Sequence, residues 1–275
     1  MNMAFTPVRG AEPPTFSWHR FQRLARAHWA EQRPQYLAHL LVVGILYIVL
    51  LLFMLGVSGF AAFQTGVQSA LYFGGLYLTG FVFAGRYFGA MAQRESALLA
   101  LMRPASVLEK WLLCIVVVAI VYPLAYSLLF LAISWPVRQL VLAVHAVLEQ
   151  RSFNAEDYAL FVPFMEVARK RLLTLPQQTG FLLGIWALQA FAVAGSLCFV
   201  RASMLKTLAL GFGLFVLTAL LCAVAGVRAE VIFAWWSRRA APGVGVHVLN
   251  ALLWIGLPVL LWVQAYVHLQ EKELR

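Results

Sequence analysis

The chain has 275 residues, 63% of them apolar and 12% charged, with 21 Lys and Arg against 11 Asp and Glu, a formal charge of +10. Soluble domains carry about 25% charged residues, and so few charges cannot cover the surface that a globule of this length leaves in water. The composition excludes a soluble globule, and a mean hydropathy of +0.82 puts most of the chain in lipid.

In such a chain the basic excess points to anionic headgroups and cytoplasmic loops, not to nucleic acid. Residues 1–36 are polar and basic and hold no early apolar core, so no cleaved leader is expected. Residues 15–33 predict an amphipathic helix lying in the membrane interface. Trp18, Phe21, Leu24, Ala25, His28 and Trp29 share one side, and His19, Arg20, Arg23, Arg26 and Arg33 share the other. Thr15 is its expected cap, and Pro34 is expected to end it and turn the chain into the first span. The helix reads either as a membrane anchor or as a lever coupled to a cytoplasmic partner.

A spanning helix needs about 20 apolar residues. Six runs qualify: 37–57, 67–90, 111–135, 179–200, 204–227 and 247–268. Backbone groups in hydrocarbon must be satisfied within their own segment, so each predicts a helix. The fold class is therefore all-α and integral to the membrane, one transmembrane domain over 1–275. With both termini inside, 13 basic residues fall on the inner segments and 8 on the outer ones, which favours cytoplasmic termini.

The segment 91–110 between spans two and three is too polar to span and too apolar for a free loop. Leu98, Leu101 and Met102 stand at i, i+3 and i+4, giving a short helix with one apolar face, flanked by Gln93, Arg94 and Glu95. Pro104, following Arg103, breaks it, and Ala105 leads into Ser106. Ser106 with Glu109 three residues on is the spacing of a capping box at the start of the next helix. The segment reads either as a docking element or as an interfacial turn against lipid. Loss of Glu109 as a cap partner is expected to cost about 1 kcal/mol or less.

On the other side, 136–178 is the longest connection. Residues 137–148 predict an apolar helix, and 155–173, with mixed charge among Phe161, Phe164, Val167 and Leu172, predicts a small helical cap or a solvated loop. The short basic turn Phe199–Thr207 joins spans four and five. Arg228–Arg239 carries Glu230 and the pair Trp235 and Trp236 at headgroup level, as a re-entrant pair or a belt anchor.

Chemical motifs are sparse. Lys206-Thr207 ends like a phosphate-binding loop, but Leu205 stands where that loop needs glycine. The six His are scattered, and none pairs with a carboxylate at ligand spacing. Cys114, Cys198 and Cys222 all lie in apolar runs, which suits neither a disulfide framework nor a zinc site. No catalytic, cofactor or metal site is expected. The span interiors hold no acid for a proton relay, so six spans without an energy-transducing site point to an energised partner.

The stretch Pro104-Ala105-Ser106-Val107-Leu108-Glu109-Lys110-Trp111-Leu112 resembles the P-A-S-x-x-E-K-x-L element that follows the second span in a subgroup of ABC-2-type transporter permeases. The Phe199–Thr207 turn and the charged tail Glu271-Lys272-Glu273-Leu274 are similar to features of the same group. The resemblance implies an ABC-2 (type V exporter-like) permease fold in a bacterial inner membrane. It implies a second permease copy and a dimer of separate ATPase subunits that bind ATP and Mg. Residues 93–106, with Glu109 and Lys110 at the edge, take the place of the coupling helix. Residues 16–33 take that of the connecting helix, and Arg228–Arg239 that of the external gate. The long outer loop departs from the pattern and suggests a periplasmic partner or an unusual gate. The expected function is the transmembrane subunit of an ATP-driven exporter. The alternative is a force-transmitting subunit that uses the same ATPase to act on a periplasmic partner without transport.

Overall fold

The computed structural model describes residues 16–59, 63–88, 105–147, 155–165, 173–199, 203–224 and 243–274. Every regular element among them is helical. Six helices are long and apolar enough to cross a membrane. They are α1 (Trp18–Ser58), α2 (Thr65–Tyr87), α3 (Val107–Val147), α4 (Leu175–Cys198), α5 (Ser203–Val224) and α6. The last runs through Val244–Ala251, a π turn at Leu252–Gly256, and Leu257–Leu274.

Each of the six expected spans overlaps one of these helices; α2 and α4 end at Tyr87 and Cys198, short of the expected 90 and 200, and 225–227 lie outside the described residues. Two prolines lie inside helices. Pro34 does not end a helix: α1 runs through it without interruption, so the interfacial helix and the first span are one element. Pro136 likewise lies inside α3, so 137–147 extends the third span and is not a separate outer helix. Proline removes one backbone donor and strands the carbonyl four residues earlier. Both prolines, and Ala30 and Ala132 that lose their partners, are exposed. They stand near the ends of the predicted spans, where water can take the freed carbonyls.

A third proline shapes the core. The π turn Val116–Val121 in α3 runs directly up to Pro123, as the π turn in α6 runs up to Pro258. Pro123 has no N–H to offer the carbonyl of Ala119. The indole Nε1 of Trp186 on α4 donates to that carbonyl instead, at 2.9 Å. A backbone group freed by proline thus becomes a tie between two spans.

α4 is the centre of the bundle. It packs against α2, α6 and α5, while α3 bridges α1, α2 and α6. Its buried residues are mostly small: Ala190, Ala192, Val193, Ala194 and Gly195. At Gly195 the approach to α5 is so close that a Cβ would overlap the side chain of Thr207, the small-residue packing by which helices associate in lipid. A second layer is aromatic. Tyr72, Phe73, Phe130 and Phe161 meet with ring centroids 5.0–6.4 Å apart. Buried hydroxyls there are paired: Tyr47 with Ser134 and Tyr72 with Ser127, each at 2.8 Å. The outward sides of α1 and α5, with Leu46, Phe53, Phe212 and Phe215 exposed, suit lipid.

The outer segment is ordered where it is described, though not as the expected helix. Residues 155–158 make one 3-10 turn and 159–165 are irregular. Side chains of the spans hold the backbone in place of helical bonds. Gln68 Oε1 accepts from the N–H of Phe161 at 3.0 Å, and its Nε2 donates to the carbonyl of Phe63 at 2.8 Å. Thr65 Oγ1 donates to the carbonyl of Ala159 at 2.8 Å, Arg138 Nε donates to that of Tyr158 at 3.0 Å, and Gln178 Oε1 accepts from the N–H of Phe164 at 2.7 Å. Three spans therefore clamp this loop, and Phe161 plugs the aromatic layer beneath it.

Candidate functional site at the first turn of the third span

The first turn of α3 is built as its spacing predicts. Ser106 caps the helix: its hydroxyl accepts from the Glu109 N–H at 3.3 Å, and Glu109 Oε2 accepts from the Ser106 N–H at 3.1 Å. The reciprocal pair satisfies two orphan donors.

Glu109 does more than cap. Its side chain is fully buried, and Oε1 accepts from the N–H of Ser17 at 2.8 Å and from Arg20 Nε and Nη2 at 3.2 and 3.1 Å. Ser17 is the cap residue of α1, and its own side chain makes no capping bond. One carboxylate therefore holds the cap N–H of two helices, α3 through one oxygen and α1 through the other. Thr15, the expected cap of α1, lies outside the described residues. A buried carboxylate needs such partners, because burial of a charge without them is costly. With Arg20 about 28% exposed on its side chain, the pair sits at the edge of water.

Two residues further on, Trp111 ties the same turn to α6. Its Nε1 donates to the carbonyl of Trp262 at 2.9 Å, and its ring meets Tyr266 edge-on at 5.6 Å. Lys110, in the same turn, is buried. This turn is thus bonded to α1 through Glu109 and to α6 through Trp111.

The N-terminal part of α1 has three faces where two were expected. Leu24 is buried and Arg20 half-buried against the protein, with Phe21 partly covered. Trp18 and Trp29 are exposed together, and Arg23 and Arg26 are exposed on the remaining side. Arg20 therefore faces Glu109 and does not belong to the headgroup-facing set. Of the other expected site residues, Gln93, Arg94, Glu95, Leu98, Leu101, Met102, Arg103 and Pro104 lie outside the described residues. So do Glu230, Trp235 and Trp236. Ala105, Ser106, Glu109 and Lys110 are described. Sequence reasoning missed Ser17 and Trp111 as members of the junction; Trp111 falls on an unspecified position of the motif, and nothing in its spacing pointed to α6. Among the described residues no cluster of His, Cys, Asp or Glu suited to a metal is found.

Fold and site together define a multi-span α-helical membrane protein with a buried ionic junction at one end of the bundle. No family model matches the chain, and neither a curated protein nor a solved structure matches it.

Proposed function

We propose that the chain is the membrane subunit of an ATP-driven exporter of the ABC-2 type, and that the first turn of α3 delivers the partner's motion to the spans. The observation that supports this most is the double cap at Glu109. The residues expected to dock an ATPase, 93–106, feed directly into a turn tied to α1 and α6. In this reading ATP and Mg bind a separate pair of ATPase subunits in the cytoplasm of a bacterium, and two permease copies pair in the inner membrane. Closure of the ATPases draws the two coupling segments together. Rigid connections at Glu109 and Trp111 then move α1 and α6 with α3, between two packings of the bundle biased by nucleotide.

The clamped outer loop favours a second reading. Residues 155–165 are held by α2, α3 and α4, so motion of those spans also moves the outer surface. A subunit that only transmits force to a periplasmic partner needs that property. Co-expression with a candidate ABC-type ATPase, purification of the complex and reconstitution in lipid test the first reading. The complex is expected to hydrolyse ATP, and the chain alone to hydrolyse none. Cargo accumulation in vesicles separates export from force transmission.

A further inference from the structure

A cleft of about 780 Å³ opens between α1, α2 and the first turn of α5, at the same end of the bundle as the Glu109 junction and outside it. That volume is within the range of about 300–1,000 Å³ typical of small-molecule sites. Its hydrogen-bonding groups are the side chains of Gln32, Gln35, Tyr36, His39, Arg86, Tyr87 and Ser203. Among the described lining residues Arg86 carries the charge, and no Asp or Glu is present. Arg86 stands exposed in the last turn of α2, and no ion pair forms with it among the described residues. A guanidinium facing a cavity that offers only amides, hydroxyls and an imidazole selects an anion, and its planar fork fits a phosphate.

The other side of the cleft decides what carries that phosphate. Val42 on α1 and Leu205 on α5 line it and are 52% and 73% exposed. Beyond them α1 and α5 continue with exposed Ile45, Leu46 and Leu208. Trp29, exposed one turn before Gln32, marks the interfacial level by its amphipathic ring. The cleft thus presents a cation and polar groups at the headgroup level and an apolar flank that runs into the membrane. A free phosphate uses only the first of these; an amphiphile uses both.

We propose that this cleft binds an anionic phospholipid, with the headgroup phosphate on Arg86 and the acyl chains along the exposed faces of α1 and α5. The site belongs to the chain alone, so it stands or falls independently of any ATPase partner.

The test is thermal unfolding of the full chain in neutral detergent micelles. Phosphatidylglycerol is titrated as mole fraction, with phosphatidylcholine and inorganic phosphate as separate arms. Phosphatidylglycerol is expected to raise the unfolding temperature saturably, and the other two to leave it unchanged. Arg86→Gln is expected to weaken the dissociation constant about tenfold or more, the size of a lost charge-assisted hydrogen bond. Arg86→Lys, which keeps the charge without the fork, should fall between. Val42→Trp, which fills the apolar flank and leaves Arg86 in place, should weaken phosphatidylglycerol as well. An equal shift from phosphatidylcholine removes the anionic selectivity, and an equal shift from inorganic phosphate shows an anion site with no lipid. Undiminished binding in both Arg86→Gln and Val42→Trp, or no shift in the wild type, overturns the proposal.

Discussion

Glu109, fully buried at the start of α3, accepts from the guanidinium of Arg20, 89 residues earlier on α1, at 3.1 and 3.2 Å. The same carboxylate accepts the cap N–H of both helices. The N-terminal helix is therefore fastened to the turn that follows the expected coupling segment.

This pair raises the expected cost of losing Glu109. As a cap partner alone, Glu109→Ala would cost about 1 kcal/mol or less. With the backbone N–H of Ser17 and the charge of Arg20 also left unpaired, about 2 kcal/mol is expected, less than for a fully buried pair because Arg20 reaches water. A double-mutant cycle with Arg20→Ala, read by chemical unfolding in detergent, should give a coupling energy of about 1–3 kcal/mol. Additive single variants would show that the two side chains do not depend on each other.

The α4–α5 crossing predicts a strict requirement for glycine. A Cβ at residue 195 would meet Thr207 Cβ at 2.8 Å as well as the ends of that side chain, so rotation of the side chain alone gives no relief. Gly195→Ala should destabilise by about 1–3 kcal/mol, as overpacking does. Adding Thr207→Ala should not restore full stability, because Cβ of residue 207 remains. A Gly195→Ala variant with the wild-type unfolding midpoint would refute the close approach.

The outer loop should be protected though it is not helical. Amide exchange at Phe161 and Phe164 is expected to be slow, because both N–H groups are bonded to side chains of the spans. Gln68→Leu removes the acceptor at Phe161 and should speed exchange there, leaving Phe164 protected through Gln178. Fast exchange at both sites in the wild type would mean that the clamp does not form.

Much of the architecture was legible because membrane burial writes length and composition into the sequence. Six long apolar runs gave six spans, and the Ser106–Glu109 spacing gave the capping box, since both depend on neighbours in the chain. Pro34 misled because a proline breaks a helix only where the freed carbonyl finds no other partner; Pro34 and Pro136 both lie where water can take it. Ala119 shows the third outcome, a carbonyl taken by Trp186 from another helix. The outer residues 155–165 carry helix-like spacing, yet Gln68, Thr65 and Gln178 compete for their backbone groups. The Arg20–Glu109 pair had one signal, a lone acid in the motif of an acid-poor chain facing a basic helix. Its partner among several arginines was not readable, because a contact across 89 residues leaves no periodicity.

The central claim is that a cytoplasmic ATPase acts on this chain through residues 93–106 and the turn that follows. By their spacing Leu98 and Met102 are expected to share an apolar face that enters the partner. Truncating such an anchor commonly costs about 2 kcal/mol or more, and a charge buried there without a partner costs more. The decisive measurement is co-purification of the ATPase with the Leu98→Asp and Met102→Asp chains, together with ATP hydrolysis by the reconstituted complex. The account predicts that both variants insert and unfold like the wild type but lose the ATPase or its coupled turnover. Wild-type association and turnover in both would contradict it and leave the segment as a lipid-facing turn.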